Sequence, residues 1–359
     1  MRITTHAPRG RWGRVAPLLL TLALALAACG GDEGGDPDEA AATPASGDED
    51  TDAESEPEPE AEETEAEEPA AEPDLVRFGL LSGGLTVLPA QRLADDPELQ
   101  ERYGLQVETR NYANLQELFP GMAAGDFDAT LATASGIGAL DVRGAPVSLI
   151  ATGVNDDSVV LLGMGDPITD AEQLRGARVT ALASAGTWRV MKAQIEERFG
   201  LEDGDFEVIS VNNLVAGATQ VAAGTADYAL AWEPFVTAAQ NQIPGMDIVL
   251  RASELKDYSS WQLVVGVHGD MSDDLVERIT AALAESSEWL HAEPAQADED
   301  YRELLDYEPG VIESVLGGDL YAFDIHRLTP EDVDSIKRDL ELTVQQGGLE
   351  SLPEDDFYR

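Results

Sequence analysis

Four turns in this chain place glycine, hydroxyl or indole side chains where a strand gives way to a helix: Ser82-Gly83-Gly84, Thr133-Ala134-Ser135, Ser184-Ala185-Gly186-Thr187 and Trp232-Glu233. The chemistry open to such turns is binding rather than bond making. Glycine lets a backbone approach a ligand closely, hydroxyls donate without fixed charge, and a helix start presents N–H groups that have no partner within the helix. A helix start favours an anionic group by about 0.3 to 2 kcal/mol. The competing reading is structural: Ser and Thr cap helices, and glycine turns the chain. Trp188 and Trp232 stand on two of these turns and offer flat apolar faces, although tryptophan is more often core. Glu233 either partners a donor or cation of the ligand or serves as an acid in the first helical turn. Asn155, at the exit of a strand, is a further candidate, with an ordinary turn role as its alternative.

None of these turns contains Lys or Arg, and Arg189 is only adjacent. A bare anion would therefore be held by neutral donors against a strongly negative chain, which favours a zwitterionic, cationic or neutral heterocyclic ligand. Catalysis needs a positioned acid, base, nucleophile or metal. The histidines, His6, His268, His291 and His326, are never within four residues of one another and have no obvious partner, and the single cysteine, Cys29, rules out a disulfide framework. No catalytic residue, no metal site and no cofactor is expected, and the chain is read as a non-enzyme.

The elements that must position these turns alternate strand with helix, the pattern of parallel sheets covered on both faces. Strands are expected at 76–81, 105–110, 129–132 and 147–152, with helices between them and a crossover at 158–163. A second series follows: a small helix at 168–174, strands at 178–182, 206–211, 228–231 and 247–251, and helices at 188–199 and 214–223. The strand at 262–267 should return to the first series, and helices are expected at 273–290, 295–305, 309–316 and 330–345. Asn114-Leu115, Ala123-Ala124-Gly125, Asp128 and Leu131-Ala132 recur 99 residues later as Asn213-Leu214, Ala222-Ala223-Gly224, Asp227 and Leu230-Ala231. A shared offset of this kind points to duplicated topology. Two crossings between two α/β lobes make a hinge and leave a cleft between them. Ligands of open α/β sheets sit outside the carboxyl ends of the strands, where the four turns lie.

The chain's beginning reads as an address. Arg2, Arg9, Arg11 and Arg14 precede an apolar run of about 14 residues, too short to span a bilayer, which needs roughly 20. The run ends in Leu26-Ala27-Ala28-Cys29-Gly30, which resembles the lipobox of bacterial lipoproteins, whose cysteine becomes an acylated N-terminus. Each buried CH₂ of acyl chain contributes about 0.8 kcal/mol, so several chains hold a protein at the bilayer. Between Cys29 and Asp74 there are 20 acids, no base and no aromatic residue, the composition of a disordered stalk. From Leu75 onward 50 acids still face 18 bases, a net charge of −32 out of −48 for the whole chain. Such acidity excludes a nucleic-acid binder. It suggests either a salty habitat, where repulsion is screened, or simply an acidic surface. Within this folded part, 43% hydrophobic residues over the whole chain suffice for a core.

Gln173-Leu174-Arg175-Gly176-Ala177-Arg178-Val179, Ala185-Gly186-Thr187, Ala223-Gly224-Thr225-Ala226-Asp227-Tyr228-Ala229 and above all Trp232-Glu233-Pro234-Phe235 resemble the solute-binding lipoproteins of ABC importers for nitrate, sulfonates, taurine and thiamin-precursor pyrimidines. The resemblance implies a type II periplasmic-binding-protein fold, with two doubly wound lobes joined by a two-strand hinge. It implies a signal peptide over 1–28, a stalk over 29–74, a first lobe from 75–162 and 262–359 with the C-terminal helices, and a second lobe from 163–261. The implied partners are a small ligand (taurine- or sulfonate-like, or pyrimidine-like), an ABC permease and the outer face of the cell membrane through acylated Cys29, with the protein a monomer. A sensory lipoprotein of the same build is the alternative, and an enzyme of the same fold a more remote one.

Overall fold

The computed structural model of the protein describes residues 72–359 apart from Ser184. Cys29, the export signal and the acidic stretch lie outside the described residues, and so does Ser184. Among the described residues no helix is long and apolar enough to cross a membrane.

Ten strands form two five-stranded sheets. The first series is β1 (Asp74–Leu81), β2 (Leu105–Tyr112), β3 (Ala129–Ala132) and β4 (Val147–Asn155), with α1 (Leu88–Asp95), α2 (Pro97–Tyr103), α3 (Leu115–Ala124) and α4 (Ala134–Asp141) between them. The second is β5 (Val160–Gly163), β6 (Arg178–Ala181), β7 (Glu207–Ser210), β8 (Tyr228–Ala231) and β9 (Asp247–Arg251), with α5 (Gly186–Phe199), α6 (Leu214–Ala222) and α7 (Phe235–Gln242). β10 (Trp261–His268) then leads into α8 (Asp273–Ala292), α9 (Pro294–Leu305), α10 (Val311–Leu316) and α11 (Pro330–Gln345). The small helix expected at 168–174 is a 3₁₀ turn, Ala171–Gln173, capped by Asp170.

The sheet orders are β2-β1-β3-β10-β4 and β7-β6-β8-β5-β9. The sheets are mixed rather than all parallel, because β10 runs antiparallel to β3 and β4, and β5 antiparallel to β8 and β9. The physical reason is the exchange of strands between lobes. β4 and β9 end at the hinge and β5 and β10 begin there, so each incoming strand must run the other way. The return of β10 to the first sheet is as expected. The outward crossing comes earlier than the expected boundary at 162/163, since β5 is fully in the second sheet and the chain passes over at 156–159. The carboxyl ends of the parallel strands in both sheets thus face the hinge side.

The repeat seen in the sequence is a repeat of geometry. Asn114 and Asn213 cap α3 and α6 by accepting from Glu117 N at 3.1 Å and Val215 N at 2.8 Å. Gly125 and Gly224 follow the helices with φ of 73° and 70°, a left-handed conformation that glycine adopts at little cost. Asp128 accepts from the backbone N–H and guanidinium of Arg77, and Asp227 does the same for Arg178, so each Asp pins the strand it leads into, β3 or β8, to its parallel neighbour β1 or β6.

Each lobe has its own apolar core. Val76, Phe78, Ile150, Val265 and Ile279 are fully buried in the first, and Leu161, Val179, Trp188 and Leu230 belong to the second. The C-terminal helices do not all stay with the first lobe, where the sequence placed them. α11 lies on both α5 and α4, and α10 touches α7 of the second lobe. Gln346 Nε2 donates to Glu196 Oε2 at 3.3 Å, and Leu320 packs against the second lobe's core while neighbouring Tyr321 belongs to the first lobe's.

Candidate functional site

The hinge holds the site's floor. Its two crossings, 156–159 and 252–260, are tied together by Asp156 N to Ser260 O at 3.2 Å, Ala252 N to Val159 O at 2.9 Å, and Ser158 Oγ to Gln262 Oε1 at 2.8 Å. Lys256 Nζ bonds Asp156 Oδ2, and both side chains are nearly inaccessible. Burial pushes the Asp156 carboxyl up, opposed by Lys256. A buried pair of this kind is costly to break, which suits a fixed pivot.

Above this floor α4 and α5 start from opposite lobes and point at each other. Thr133 caps α4, its Oγ1 accepting from Gly136 N at 3.2 Å. Ala185 precedes α5, and among the described residues no side chain caps the first N–H groups of the helix. Between the two starts lies a cavity of about 50 Å³, bounded by Thr133, Ala134 and Ser135 on one lobe and Gly186 and Thr187 on the other. The seam is tight: a Cβ on Gly186 would lie 2.3 Å from Ser135 Oγ. About 10 to 15 Å³ accommodates one water centre, so the cavity has the scale of a small head group.

The remaining walls were not foreseen as ligand contacts. Gln194 comes from α5, one heptad beyond Thr187 and on the same face. Ser260 comes from the second crossing, Trp261 and Gln262 from the start of β10, and Asp339 and Thr343 from α11. Trp261 is the first residue of β10. Here its Nε1 donates to Asp332 Oδ1 at 3.0 Å and its ring meets the edge of His326 at 5.5 Å. The periodicity of α5 is a signal that could have picked out Gln194. Nothing local marks Asp339, because α11 reaches the cleft only after the chain has folded back.

The structure distributes the anticipated residues unevenly. Thr133, Ala134, Ser135, Gly186 and Thr187 share the cavity. Trp188 turns the other way into the second lobe's core, where it is 2% exposed and packs edge-on against Phe206, so the ligand contact expected of it is replaced by a core role. Asn155 faces the outer hinge groove with Lys256 and His326, and its Oδ1 accepts from Asp157 N at 3.3 Å.

Ser82, Gly83 and Gly84 also lie away from the cavity, and Tyr307 OH donates to Gly83 O at 2.6 Å. Trp232 is half-buried against the second lobe's core. Glu233 is 6% exposed and accepts from Thr237 N at 3.1 Å and Thr237 Oγ1 at 3.0 Å, the pattern of a helix cap. Burial raises its pKa despite those two bonds. Burial also raises the Tyr321 phenol, and Tyr307 and Glu233 add to the shift.

The histidines have more partners than the sequence suggested. His326 lies between Asp324 Oδ1 at 3.2 Å and Asp332 Oδ2 at 3.1 Å, beside Thr152 Oγ1 at 3.1 Å. His291 Nε2 accepts from Phe323 N at 3.0 Å while Nδ1 meets Leu316 O at 3.0 Å, so the ring staples these two backbone segments together. Neither ring lines the cavity.

Comparison with known proteins agrees with this architecture. The aliphatic sulphonate binding protein SsuA of Escherichia coli superposes with a TM-score of 0.66 at 15% identity, covering 80% of this chain and 92% of its own. The alkanesulfonate-binding protein SsuA of Xanthomonas axonopodis, bound to MOPS, gives 0.60 at 15% identity over 80% and 99%. The ligand-binding component of an ABC-type import system from Staphylococcus aureus, with zinc bound, gives 0.59 at 10% identity over 79% and 96%. At such identities the likeness is one of fold: two lobes around a hinge, as in periplasmic binding proteins. No curated protein is close enough in sequence to match. A family model described as "ABC transporter, phosphonate, periplasmic substrate-binding protein" matches residues 91–306, more than half of the sequence and both lobes, and the chain therefore belongs to this family of extracytoplasmic substrate-binding components of ABC transporters.

Proposed function

We propose that the protein is a lipid-anchored solute receptor that captures a small organic ligand at the cavity between Thr133–Ser135 and Gly186–Thr187, closes on it, and presents the closed form to a membrane permease. The observation that carries this reading is the convergence of two helix starts from opposite lobes on one half-open cavity at the hinge. Closure must be favoured by contacts that exist only when the lobes meet, and both starts make such contacts. The ligand is taurine- or sulfonate-like, or pyrimidine-like. Sulfonate-binding neighbours and the phosphonate family support an acid head group of the size the cavity admits. The role is binding and not catalysis, since the site's own residues supply neutral donors and acids already tied to partners. Acylation of Cys29 would keep the receptor, as a monomer, at the outer face of the cell membrane.

A thermal-shift screen of taurine, alkanesulfonates, alkylphosphonates, nitrate and pyrimidines tests the reading. A true ligand raises the midpoint in proportion to RT ln(1 + [L]/Kd). If no compound of any class moves the midpoint or gives binding heat, the cavity is not a solute site of this kind.

A further inference from the structure

Gln194 is the unusual member of the cavity wall. It is 3% exposed, and its Nε2 donates to Asp339 Oδ1 at 3.3 Å. A carboxylate only accepts, so the amide cannot be turned around: the NH₂ must face Asp339 and the carbonyl must face away. Asp339 is itself fixed by Tyr258 OH at 2.8 Å and by Ser260 Oγ. The Gln194 Oε1 is then left buried without any donor. Such an orphan acceptor is costly unless something supplies a proton donor.

The surroundings say what kind of donor fits. Among the described residues no Lys or Arg lines the cavity, and the charged side chains there are Asp156 and Asp339. Asp156 is offset by Lys256, while the donors on Asp339 are all neutral. The start of α5, which no side chain among the described residues caps, is at the other end of the same helix face. Thr187 and Gln194 are seven residues apart, about 10 Å along the axis, and a helical glutamine leans back toward the helix start. An acceptor head at the helix start and a donor at Oε1 are therefore only a short carbon chain apart.

We propose that Gln194 determines specificity: its side-chain carbonyl accepts a hydrogen bond from a protonated amine of the ligand, so the site takes a small zwitterion in preference to the same acid without the amine. This rests on the receptor reading above and sharpens it.

Titration calorimetry on the full-length protein with matched pairs tests it, using taurine against ethanesulfonate and 2-aminoethylphosphonate against ethylphosphonate, with hydroxymethylpyrimidine alongside. The expected result is that the aminated member of at least one pair binds ten times tighter or more, about 1.4 kcal/mol. Gln194→Leu should abolish the preference, so that both members of the pair bind alike. Gln194→Met serves if the leucine variant does not fold. Equal or tighter binding of the plain acid by the unmodified protein, or of the pyrimidine alone, overturns this proposal and leaves the receptor reading intact. A preference for the amine that survives both variants removes Gln194 as its cause. Failure of all five compounds to bind would sink the receptor reading and this inference together.

Discussion

Gly186 offers the most direct test of closure. It opens α5 at the seam, and a Cβ there would lie 2.3 Å from Ser135 Oγ, 3.5 Å from Ser135 Cβ and 4.0 Å from Thr133 Oγ1. Gly186→Ala must therefore part the lobes by roughly 1 Å or swing the Ser135 hydroxyl aside, and overpacking of this kind costs about 1 to 3 kcal/mol. That penalty falls only on the closed state, so ligand affinity should drop about five- to 150-fold. The open protein is spared, and alanine favours a helix over glycine by about 0.5 to 1 kcal/mol, so the unliganded melting midpoint should hold or rise. Adding Ser135→Ala removes the clashing oxygen and leaves an ordinary 3.5 Å contact, so the double variant should bind as well as Ser135→Ala alone. Calorimetry with the tightest compound of the panel, beside melting curves of the free proteins, reads all three variants. Undiminished affinity in Gly186→Ala, or a double variant that binds more weakly than Ser135→Ala alone, would refute the idea that these two helix starts meet on closure.

Other consequences follow from the same structure. Glu233 has a pKa raised by burial, so the stability it contributes is greatest below the ordinary carboxyl range, about pH 4.3, and is lost as pH rises through its elevated folded value. Glu233→Gln, which keeps an acceptor for Thr237 N, should flatten the fall in midpoint between pH 5 and neutrality; an unchanged pH profile would contradict the assignment. Asp128→Asn should destabilise by about 1 to 2 kcal/mol in urea titrations, and Asp227→Asn by less, because Asp128 is the more buried of the two matched anchors. With a net charge of −32 from Leu75 onward, the midpoint should climb as KCl increases to 1 M, and a flat midpoint would contradict charge repulsion in the folded part. Cys29→Ser should move the protein from the membrane fraction to the soluble fraction of the producing cell, and retention at the membrane would end the lipid-anchor proposal.

Much of the architecture was legible because it is written in local patterns. Alternating strands and amphipathic helices gave the two series, with α11 and β9 at their observed bounds, and the offset repeat of Asn, Gly and Asp marked matched units whose geometry proved to match. The turns Thr133–Ser135 and Gly186–Thr187 could be found for the same reason, since a hydroxyl or glycine at a strand-to-helix junction has local meaning.

What the sequence by itself determined, then, was the order of elements, the duplicated plan and the two helix starts, all consequences of side-chain period and backbone preference over a few residues. Only the tertiary structure decided which junctions share a cavity, that Trp188 faces core, and that Asp339 of α11 and Gln194 of α5 meet. Those outcomes depend on strand exchange across the hinge and on a C-terminal helix returning over both lobes. Contacts between residues 145 positions apart are set by packing of whole elements, and no local spacing encodes them.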